Sequence, residues 1–492
     1  MKRFFSLLVS MLMMVCLLAA CGSDTSTPSS SADNSVSEPS DANSNGSTND
    51  GDVTTLVWYQ IGTQPGNLTE GMEIINEYLR EKINVEVDFR MYDWGDWESG
   101  VTNMLNTGEY YDITFIHTRF FTSFAQQGHF YDLSSLLNTA PALTDLIPEN
   151  IWPGVTIKGG VYGVPTYKDC GITQYIAFDN AIVEKYNIDL DAIQSLYDLD
   201  PILREIKAGE EAETGETVYP LPLTSEGVSA LRMYYDNYVR YDDASGTVMN
   251  TWEREEMAGW LELIHSWWED GIINPDASTV GDPEMYRICF IVQAFEGAEV
   301  SLSADRGYDI VMSPYTETVF STESIQGSVN AISANSNHPA EALKLLELVN
   351  TDPYLRNLFA FGVPGEDWED NGDGTINKLT DTWTVPAYSV ATFFTMSPVS
   401  PNGADQWTKV QAQNDAGTSH MLLGFTFDDT NVESDLVNVN AVLEKYYPEL
   451  LTGAYQGTTA DFLEKMNKEL YDAGLQAVLD ETQAQIDEFL AK

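Results

Sequence analysis

Apolar residues recur at regular intervals from residue 53 onward, and their spacing predicts strands and helices in alternation. Residues 56–59 form a short apolar run, and alternate positions of 85–91 are apolar, so two strands are expected. Apolar residues within 69–79 and 97–105 recur at helical spacing, and residues 111–116 complete a third strand. This β-α-β-α-β order predicts an α/β lobe built on a largely parallel sheet.

The remainder of the chain repeats the alternation less regularly. Strands are predicted at 172–178 and 307–314, and helices at 180–186, 251–271, from Pro339 onward, and through most of 431–492. Residues 190–206 and 221–241 are mixed and mostly helical in pattern. No internal repeat of solenoid period is visible.

The first residues have the order of an export signal. Lys2 and Arg3 precede a mostly apolar run over 4–18, and Leu-Ala-Ala-Cys ends at Cys21. We expect a lipoprotein signal peptide over 1–20, removed so that the mature chain begins at a lipidated Cys21. The alternatives are an ordinary signal with a chance cysteine, or a short membrane helix. The apolar run is shorter than the ~20 residues needed to cross a bilayer.

Residues 21–52 are predicted to form a disordered polar tether. They consist mostly of Ser, Asn, Asp, Thr, Gly and Pro, a composition that cannot bury enough apolar surface to offset its ordering entropy. A flexible coil of this length has an end-to-end distance of roughly 30 Å. The folded body would therefore keep some freedom of movement above a membrane.

The length and charge of the chain limit the kind of protein that the folded part, from residue 53 onward, can be. Its length exceeds what one hydrophobic core usually supports, so two lobes are expected. The chain carries 76 Asp and Glu against 24 Lys and Arg, a formal net charge of −52. This charge repels phosphate backbones and anionic lipid, which argues against nucleic-acid binding. A solvated acidic surface on an exported protein is the ordinary explanation.

Residues with metal or catalytic chemistry add few constraints. Cys170 and Cys289 permit one disulfide or two free thiols, and the five histidines are scattered without metal-type spacing. Residues 369–380 have some features of a calcium loop, but Thr380 stands at position 12, and a turn rich in Asn, Asp and Gly is the default. No hydrolase, metalloprotease or phosphate-loop motif is found. We therefore predict no catalytic residue, no metal and no cofactor.

Several motifs resemble one family in their order and spacing. They are the lipobox and tether, Gly-Val-Tyr-Gly-Val-Pro at 160–165, Phe178-Asp179-Asn180 with Tyr186-Asn187-Ile188, the stretch 331–342, and, near the end, 424–428, 446–448 and 462–490. Together they resemble the extracellular solute-binding proteins (family 1 type) of carbohydrate ABC importers, in a Gram-positive lipoprotein subgroup with a helical C-terminal module. Residues 384–413, including their pocket-type aromatics, fit that subgroup poorly.

The resemblance implies an architecture. It is an α/β, two-lobe periplasmic-binding-protein-like fold (type II), in which each lobe is a mostly parallel sheet flanked by helices, with a helical C-terminal extension. Lobe I is predicted to comprise 53–165 and 311–335, lobe II 166–310 and 336–430, and the C-terminal module 431–492.

The resemblance also implies a function. The chain would be lipid-anchored at the extracellular face of the cell membrane, monomeric, and would deliver a sugar to ABC permease subunits after hinge closure. Two alternatives remain. The same scaffold could bind a peptide or an amino-acid derivative through Arg119 and Lys168, or the chain could be a surface glycoside hydrolase or adhesin.

Ligands of open α/β sheets bind at the carboxyl ends of the strands, and sugar sites combine aromatic faces with hydrogen-bonding groups. The predicted ligand-binding residues share these properties: Trp58, Tyr59, Gln60, Trp94, Trp97, His117, Arg119, Tyr167, Lys168 and Asp169. We favour Trp58, Tyr59, Arg119 and Tyr167 among them. A tryptophan at a strand end can equally belong to the core, and Arg119 can simply pair with a carboxylate.

Overall fold

The computed structural model describes residues 53–228, 239–242, 245–281 and 286–491. The predicted signal peptide, Cys21 and the tether lie outside these residues. In this part of the chain, no helix combines the length and the apolar character that crossing a bilayer requires.

The described helices follow the predicted order. They are α1 (Leu68–Ile83), α2 (Trp97–Thr107), α3 (Thr118–Gln126), α4 (Pro141–Leu146), α5 (Asn180–Tyr186), α6 (Leu196–Thr214), α7 (Glu255–Glu269), α8 (Glu299–Arg306), α9 (Thr322–Gln326), α10 (Pro339–Thr351), α11 (Pro353–Phe361), α12 (Ala387–Val390), α13 (Gln406–Ala416), α14 (Glu433–Thr452), α15 (Thr459–Asp472) and α16 (Leu475–Leu490).

The strands lie mainly between these helices. They are β1 (Thr54–Ile61), β2 (Val85–Tyr92), β3 (Ile113–Ile116), β4 (Thr156–Ile157), β5 (Gly160–Val161), β6 (Val164–Pro165), β7 (Gln174–Asp179), β8 (Val239–Asp242), β9 (Thr247–Asn250), β10 (Cys289–Gln293), β11 (Ile310–Pro314), β12 (Val319–Phe320), β13 (Val329–Ile332), β14 (Trp368–Asp370), β15 (Ile376–Lys378) and β16 (Thr418–Ser419). Within the predicted mixed segment 221–241, residues 221–228 contain no helix, 239–241 belong to strand β8, and 229–238 lie outside the described residues.

The first sheet has five strands in the order β2-β1-β3-β13-β6. β1 runs parallel to β2 and β3, as the alternation predicted, whereas β13 is antiparallel to both β3 and β6. Helices α1 to α4, α10 and α11 pack with this sheet, and we call their shared interior the first core. The prediction of a mostly parallel sheet holds for this part of the molecule.

The second sheet has the order β10-β7-β11, and both neighbours run antiparallel to β7. The predicted mostly parallel arrangement is therefore wrong for this sheet. The reason lies in the chain path. β10 and β11 are parallel to each other and joined through α8, as in an α/β unit, but β7 enters from the first sheet and inserts between them in the opposite direction.

The second sheet, α5, α6, α7 and the three C-terminal helices α14 to α16 enclose the second core. Helices α10 and α11 instead bury Leu345, Leu346 and Phe359 in the first core. The predicted placement of 336–430 in lobe II is thus wrong for these helices, since their apolar faces cover the first sheet. The C-terminal helices share the core of the second sheet instead of forming a separate one.

The cysteines belong to different cores. Cys170 is buried in the first core and Cys289 in the second, and both are free thiols. Burial raises the pKa of Cys170 to about 11, so its reactive thiolate is scarce at neutral pH. Of the two alternatives that the sequence left open, the structure has the free thiols.

Candidate functional site

One edge of the first sheet collects strand ends and the connections to the second sheet. Ile61 pairs with Tyr92 in the β1–β2 register, and β3 ends nearby at Ile116. Ile116 also pairs with Val329, the first residue of β13, and Val329 in turn pairs with Pro165 at the end of β6. The chain therefore leaves and re-enters the first sheet at the edge where its parallel strands end, where the general rule places ligands.

The second sheet presents a matching edge. The first crossing segment, 166–173, leads directly into β7, and the ends of β10 and β11 lie beside the start of β7. A second crossing, 315–328, returns to β13. Residues 393–417 run beside the first crossing, because the Gln413 side-chain amide donates to the Thr173 hydroxyl at 2.9 Å and that of Asn414 to the Lys168 carbonyl at 2.6 Å. Residues from both sheets thus meet around the crossings.

His117 is the first residue after β3 and lies at this edge. Its imidazole stacks on the indole of Trp97 with ring centroids 4.6 Å apart, and Phe120 meets the imidazole edge-on at 5.8 Å. Trp97 itself is buried, whereas His117 and Phe120 are partly exposed. The buried indole therefore supports an imidazole whose surface is accessible to solvent.

Lys168 and Asp169 form an ion pair at the start of the first crossing. The Lys168 Nζ lies 2.7 Å from the Asp169 carboxylate, and both side chains are largely shielded from solvent. Burial alone would lower the pKa of Lys168, but Asp169 and neighbouring groups outweigh it, so the net pKa is raised. Lys168 therefore remains protonated at neutral pH, and the pair lies beside this edge of the first sheet.

Tyr388 lies close to this pair. Burial raises the pKa of Tyr388 while the nearby Lys168 charge opposes that shift, and its ring centroid is 6.3 Å from that of Phe115. Tyr388 is partly exposed. The sequence did not predict Tyr388 as a site residue, although it lies in the segment 384–413 that departs from the family pattern.

Three aromatic rings cluster where residues 393–407 approach the second sheet. Phe393 and Trp407 have centroids 5.0 Å apart, and Phe295, which follows β10, lies 6.0 Å from Trp407. Phe295 and Trp407 are partly exposed. This cluster was not predicted from the sequence either, because Phe295 is distant in the chain from Phe393 and Trp407.

Five of the predicted ligand-binding residues are buried in this conformation, namely Trp58, Tyr59, Gln60, Trp97 and Tyr167. Trp58 is 0% exposed, packs on Phe89 and Phe359, and its indole N–H donates to Asn330 Oδ1 at 3.1 Å. The Gln60 amide also donates to Asn330 Oδ1, at 2.9 Å. For these two residues the prediction is wrong in this conformation, because strand alternation turns both toward the first core.

Tyr167, another of the predicted residues, is also buried. Its ring packs on Phe394 with centroids 4.5 Å apart, and burial raises its pKa to about 12. Its backbone carbonyl accepts the Thr392 hydroxyl at 2.6 Å and the Phe393 N–H at 3.2 Å. Tyr167 therefore ties two segments together at the crossing, and its ring is unavailable to a ligand in this conformation.

The other predicted residues are distributed around the edge. Tyr59 points to the opposite face, where its hydroxyl donates to Glu109 at 2.7 Å and its ring stacks on Tyr92. Trp94 is 50% exposed. The side chain of Arg119 lies outside the described part of the structure. The edge thus brings together His117, Lys168 and Asp169 from the predicted set, with Trp97 beneath His117.

Two other places could have held a ligand or metal. A recess of about 660 Å³ lies between α1 and β2, on the outer side of the first sheet and away from the crossings. Residues 369–380 form the hairpin of β14 and β15, in which Asp370 and Asp373 accept hydrogen bonds within the turn. In the described ranges, no group of three or more His, Cys, Asp or Glu side chains is arranged to hold a metal ion.

Two α/β lobes with separate cores, joined by crossings at an edge lined with aromatic and charged groups, define a solute-binding protein. A profile of the bacterial extracellular solute-binding proteins matches residues 65–356, and the chain belongs to this family. A profile for a domain of unknown function, DUF3502, matches residues 421–491, which include α14 to α16. Membership confirms the predicted family and a binding protein as opposed to an enzyme.

Particular relatives extend over the full length. A carbohydrate ABC transporter substrate-binding protein of Streptococcus pneumoniae serotype 4 is 25% identical over 517 residues, covering 99% of this chain and 98% of the relative. The crystal structure of the N-glycan transport solute binding protein NgtS from Streptococcus pneumoniae has a TM-score of 0.78 at 22% identity, over 89% of this chain and 99% of NgtS.

A further neighbour is an HMO-binding, ABC-transporter-associated solute binding protein from Bifidobacterium longum infantis. It has a TM-score of 0.58 at 15% identity and covers 89% of this chain and 99% of its own. These likenesses confirm the predicted two-lobe α/β fold.

Proposed function

We propose that this chain is the extracellular substrate-binding component of an ABC importer and that it captures an oligosaccharide between its two lobes. The full-length relative is named as a carbohydrate transporter component, and NgtS has been crystallised with Man5GlcNAc and Man1GlcNAc. Anchoring through a lipid on Cys21 and delivery to permease subunits, with the chain acting as a monomer, complete the proposal. Family membership and the lipobox support it.

One arrangement carries the carbohydrate assignment. The partly exposed imidazole of His117, stacked on Trp97, lies at the same edge as the Lys168–Asp169 pair and the partly exposed Tyr388. Sugars present flat CH faces and many hydroxyls, so they need ring faces for packing together with donors and acceptors of hydrogen bonds. These groups supply both within one edge, and Trp94 adds a further exposed ring.

We propose that the lobes correspond to the two cores and that binding closes them about the crossings. Each core is continuous within itself, and the connections at 166–173 and 315–328 are short. Few residues would then absorb the backbone rotation, as is usual for hinge closure. In this proposal α10 and α11 move with the first lobe, and α14 to α16 move with the second.

A peptide or amino-acid ligand is less well supported. Such a ligand needs a cation free to meet its carboxylate. Of the two cations predicted for that role, Lys168 already lies 2.7 Å from the Asp169 carboxylate, so its charge is matched, and the Arg119 side chain lies outside the described residues. We therefore favour a neutral polyhydroxyl ligand.

Calorimetry with a panel of Man5GlcNAc, Man1GlcNAc, kestose and a tripeptide tests the proposal. A true ligand at 100 times its dissociation constant should also stabilise the protein by about 2.7 kcal/mol in thermal unfolding. We expect His117→Ala to weaken the bound sugar about tenfold or more, a loss of about 1.4 kcal/mol. The matched control is Tyr197→Ala, which removes an exposed ring from α6.

Two results would contradict the proposal. The first is that the tripeptide binds and that no sugar in a broadened oligosaccharide panel binds. The other is equal sugar affinity in wild type and His117→Ala, which would remove His117 from the site. Anchoring is tested separately by labelling cells with radioactive palmitate, where Cys21→Ala should abolish incorporation.

A further inference from the structure

All main-chain carbonyls from Ala387 to Thr392 accept hydrogen bonds from side chains of the first lobe or, at Tyr388, from Ser328 at the end of the second crossing. We call residues 387–392 the Tyr388 turn. Arg356 donates to Ala387, Ala391 and Thr392 at 2.8, 3.2 and 2.7 Å. The Ser328 hydroxyl donates to Tyr388 at 2.8 Å, Asn330 to Ser389 and Val390 at 2.9 and 3.0 Å, and Gln60 to Ser389 at 3.2 Å. The turn is therefore fixed to the first lobe along its whole length.

Among these hydrogen-bond donors, Arg356 is the one whose burial costs free energy, because its side chain carries a charge. Its side chain is 0% exposed, it forms no ion pair with a described carboxylate, and burial lowers its pKa to about 9. Burying an unpaired charge is unfavourable, and an apolar side chain of similar volume usually fills such a space at lower cost. What the guanidinium offers instead is a rigid fork that can span three carbonyls. Its chemistry thus matches positioning better than space filling.

The turn ends at the crossing and places Tyr388 at the site. The Thr392 hydroxyl and the Phe393 N–H both donate to the Tyr167 carbonyl in the first crossing. The Tyr388 side chain is partly exposed next to Lys168. Its hydroxyl makes no hydrogen bond with another described residue, so it is available as donor and acceptor.

We propose that Arg356 is a positioning residue that holds the Tyr388 turn against the first lobe, and that Tyr388 is a specificity-determining contact for the bound sugar. This inference rests on the proposed function. The carbonyl bonds keep the turn on the first lobe in the open and the closed protein. The Tyr388 hydroxyl then meets a sugar hydroxyl at a fixed height above the sheet edge, beside the Lys168–Asp169 pair.

Fluorine NMR of protein labelled with 3-fluorotyrosine tests the positioning role without a ligand, and Tyr388→Phe identifies the Tyr388 resonance by its loss. We expect Arg356→Lys to shift or broaden that resonance, because one ammonium cannot span three carbonyls. Ser328→Ala, a smaller change, should shift it less and guards against an Arg356 variant that does not fold. Leu355→Ala is the matched control, since Leu355 is buried in the same helix but bonds no carbonyl of the turn.

Calorimetry with Man5GlcNAc then tests the specificity role. Tyr388→Phe and Arg356→Lys should each weaken binding at least fivefold, while Leu355→Ala lowers the melting temperature and leaves the affinity within twofold. An unchanged Tyr388 resonance in both Arg356→Lys and Ser328→Ala would overturn the positioning role, and unchanged affinity in Tyr388→Phe would overturn the contact. If wild type binds no sugar, the proposed function fails while the NMR result still decides the positioning role.

Discussion

At the scale of single residues, the two faces of β1 decide which side chains can meet a ligand. Trp58 and Gln60 point into the first core, and Tyr59 between them points to the other face. The sequence located the strand and its carboxyl end correctly. It could not show what covers Trp58, because Phe359 and Asn330, which contact it, lie some 270 or more residues further along the chain, and Tyr59 on the other face is buried as well.

Replacing Trp58 should therefore affect stability and not binding. We expect Trp58→Ala to lower the free energy of unfolding by about 3–5 kcal/mol, the usual cost of deleting a buried aromatic side chain. Sugar affinity of the folded protein should stay within about twofold. Trp94→Ala, at an exposed site, should change stability by less than about 0.5 kcal/mol. A normal unfolding midpoint with weakened binding in Trp58→Ala would contradict the burial described above.

The Lys168–Asp169 pair makes a second prediction at this scale. Lys168→Met leaves the shielded Asp169 carboxylate without its partner and should lower the free energy of unfolding by about 3 kcal/mol. Adding Asp169→Asn should restore part of that loss, because the unpaired charge is removed. Chemical denaturation of the single and double variants measures this. Purely additive losses would show that the two side chains do not depend on each other.

At the scale of elements, predictions succeeded where neighbouring residues determine the structure. The helices that begin at Leu68, Trp97 and Pro339 and the three parallel strands follow from local periodicity. The direction of β7 and the lobe of α10 and α11 did not follow, because both depend on partners distant in the chain. The Tyr388 turn was missed for the same reason: the side chains that fix it come from three separate parts of the sequence, at Gln60, at 328–330 and at Arg356.

The end of α14 allows a matched test of element packing. Gly453 and Gly457 both have positive φ, at +70° and +91°. A Cβ added at Gly453 would lie 2.6 Å from the Ile264 carbonyl oxygen. A Cβ added at Gly457 would have no neighbouring atom within 4 Å. Gly457→Ala should cost about 1–2 kcal/mol for the backbone conformation alone. Gly453→Ala should cost ~2 kcal/mol more, since α7 must move.

Thermal unfolding of the two variants measures this difference. Equal destabilisation would show that α14 is not packed against α7 as described.

At the scale of the whole molecule, the C-terminal helices belong to the second core. Leu443, Leu450 and Met466 from α14 and α15 are buried against residues of α7 and the second sheet. We expect a chain that stops after residue 431 to expose this apolar face and to lose cooperative unfolding of the second lobe. Limited proteolysis should then degrade the second lobe and spare the first. A soluble truncated protein with one sharp transition would contradict the shared core.

We expect the buried tyrosines to limit the stability of the folded protein at alkaline pH. Burial is the main cause that raises the pKa of Tyr59, Tyr167 and Tyr455 to about 12, from an ordinary 10.0. Because the folded pKa is the higher one, this stabilisation is complete below pH 10 and is lost as the pH rises toward 12. Denaturation midpoints followed with tyrosinate absorbance should fall steeply in that window. A flat profile from pH 10 to 12 would argue that these rings are not buried.

If a solute closes the two lobes on each other, the distance between them must shorten, and this distance can be measured. Spin labels at Glu77→Cys on α1 and Tyr197→Cys on α6 occupy exposed positions on helices that pack in the first and second cores, respectively. The two thiols in the described residues, Cys170 and Cys289, are buried. The control pair, Tyr197→Cys with Val437→Cys, lies on helices of the second core.

Double electron–electron resonance is recorded with and without an oligosaccharide whose binding calorimetry has established. We predict that the distribution between the lobes shortens and narrows on saturation while the control distribution stays the same. An interlobe distribution that does not change at saturation would contradict the account.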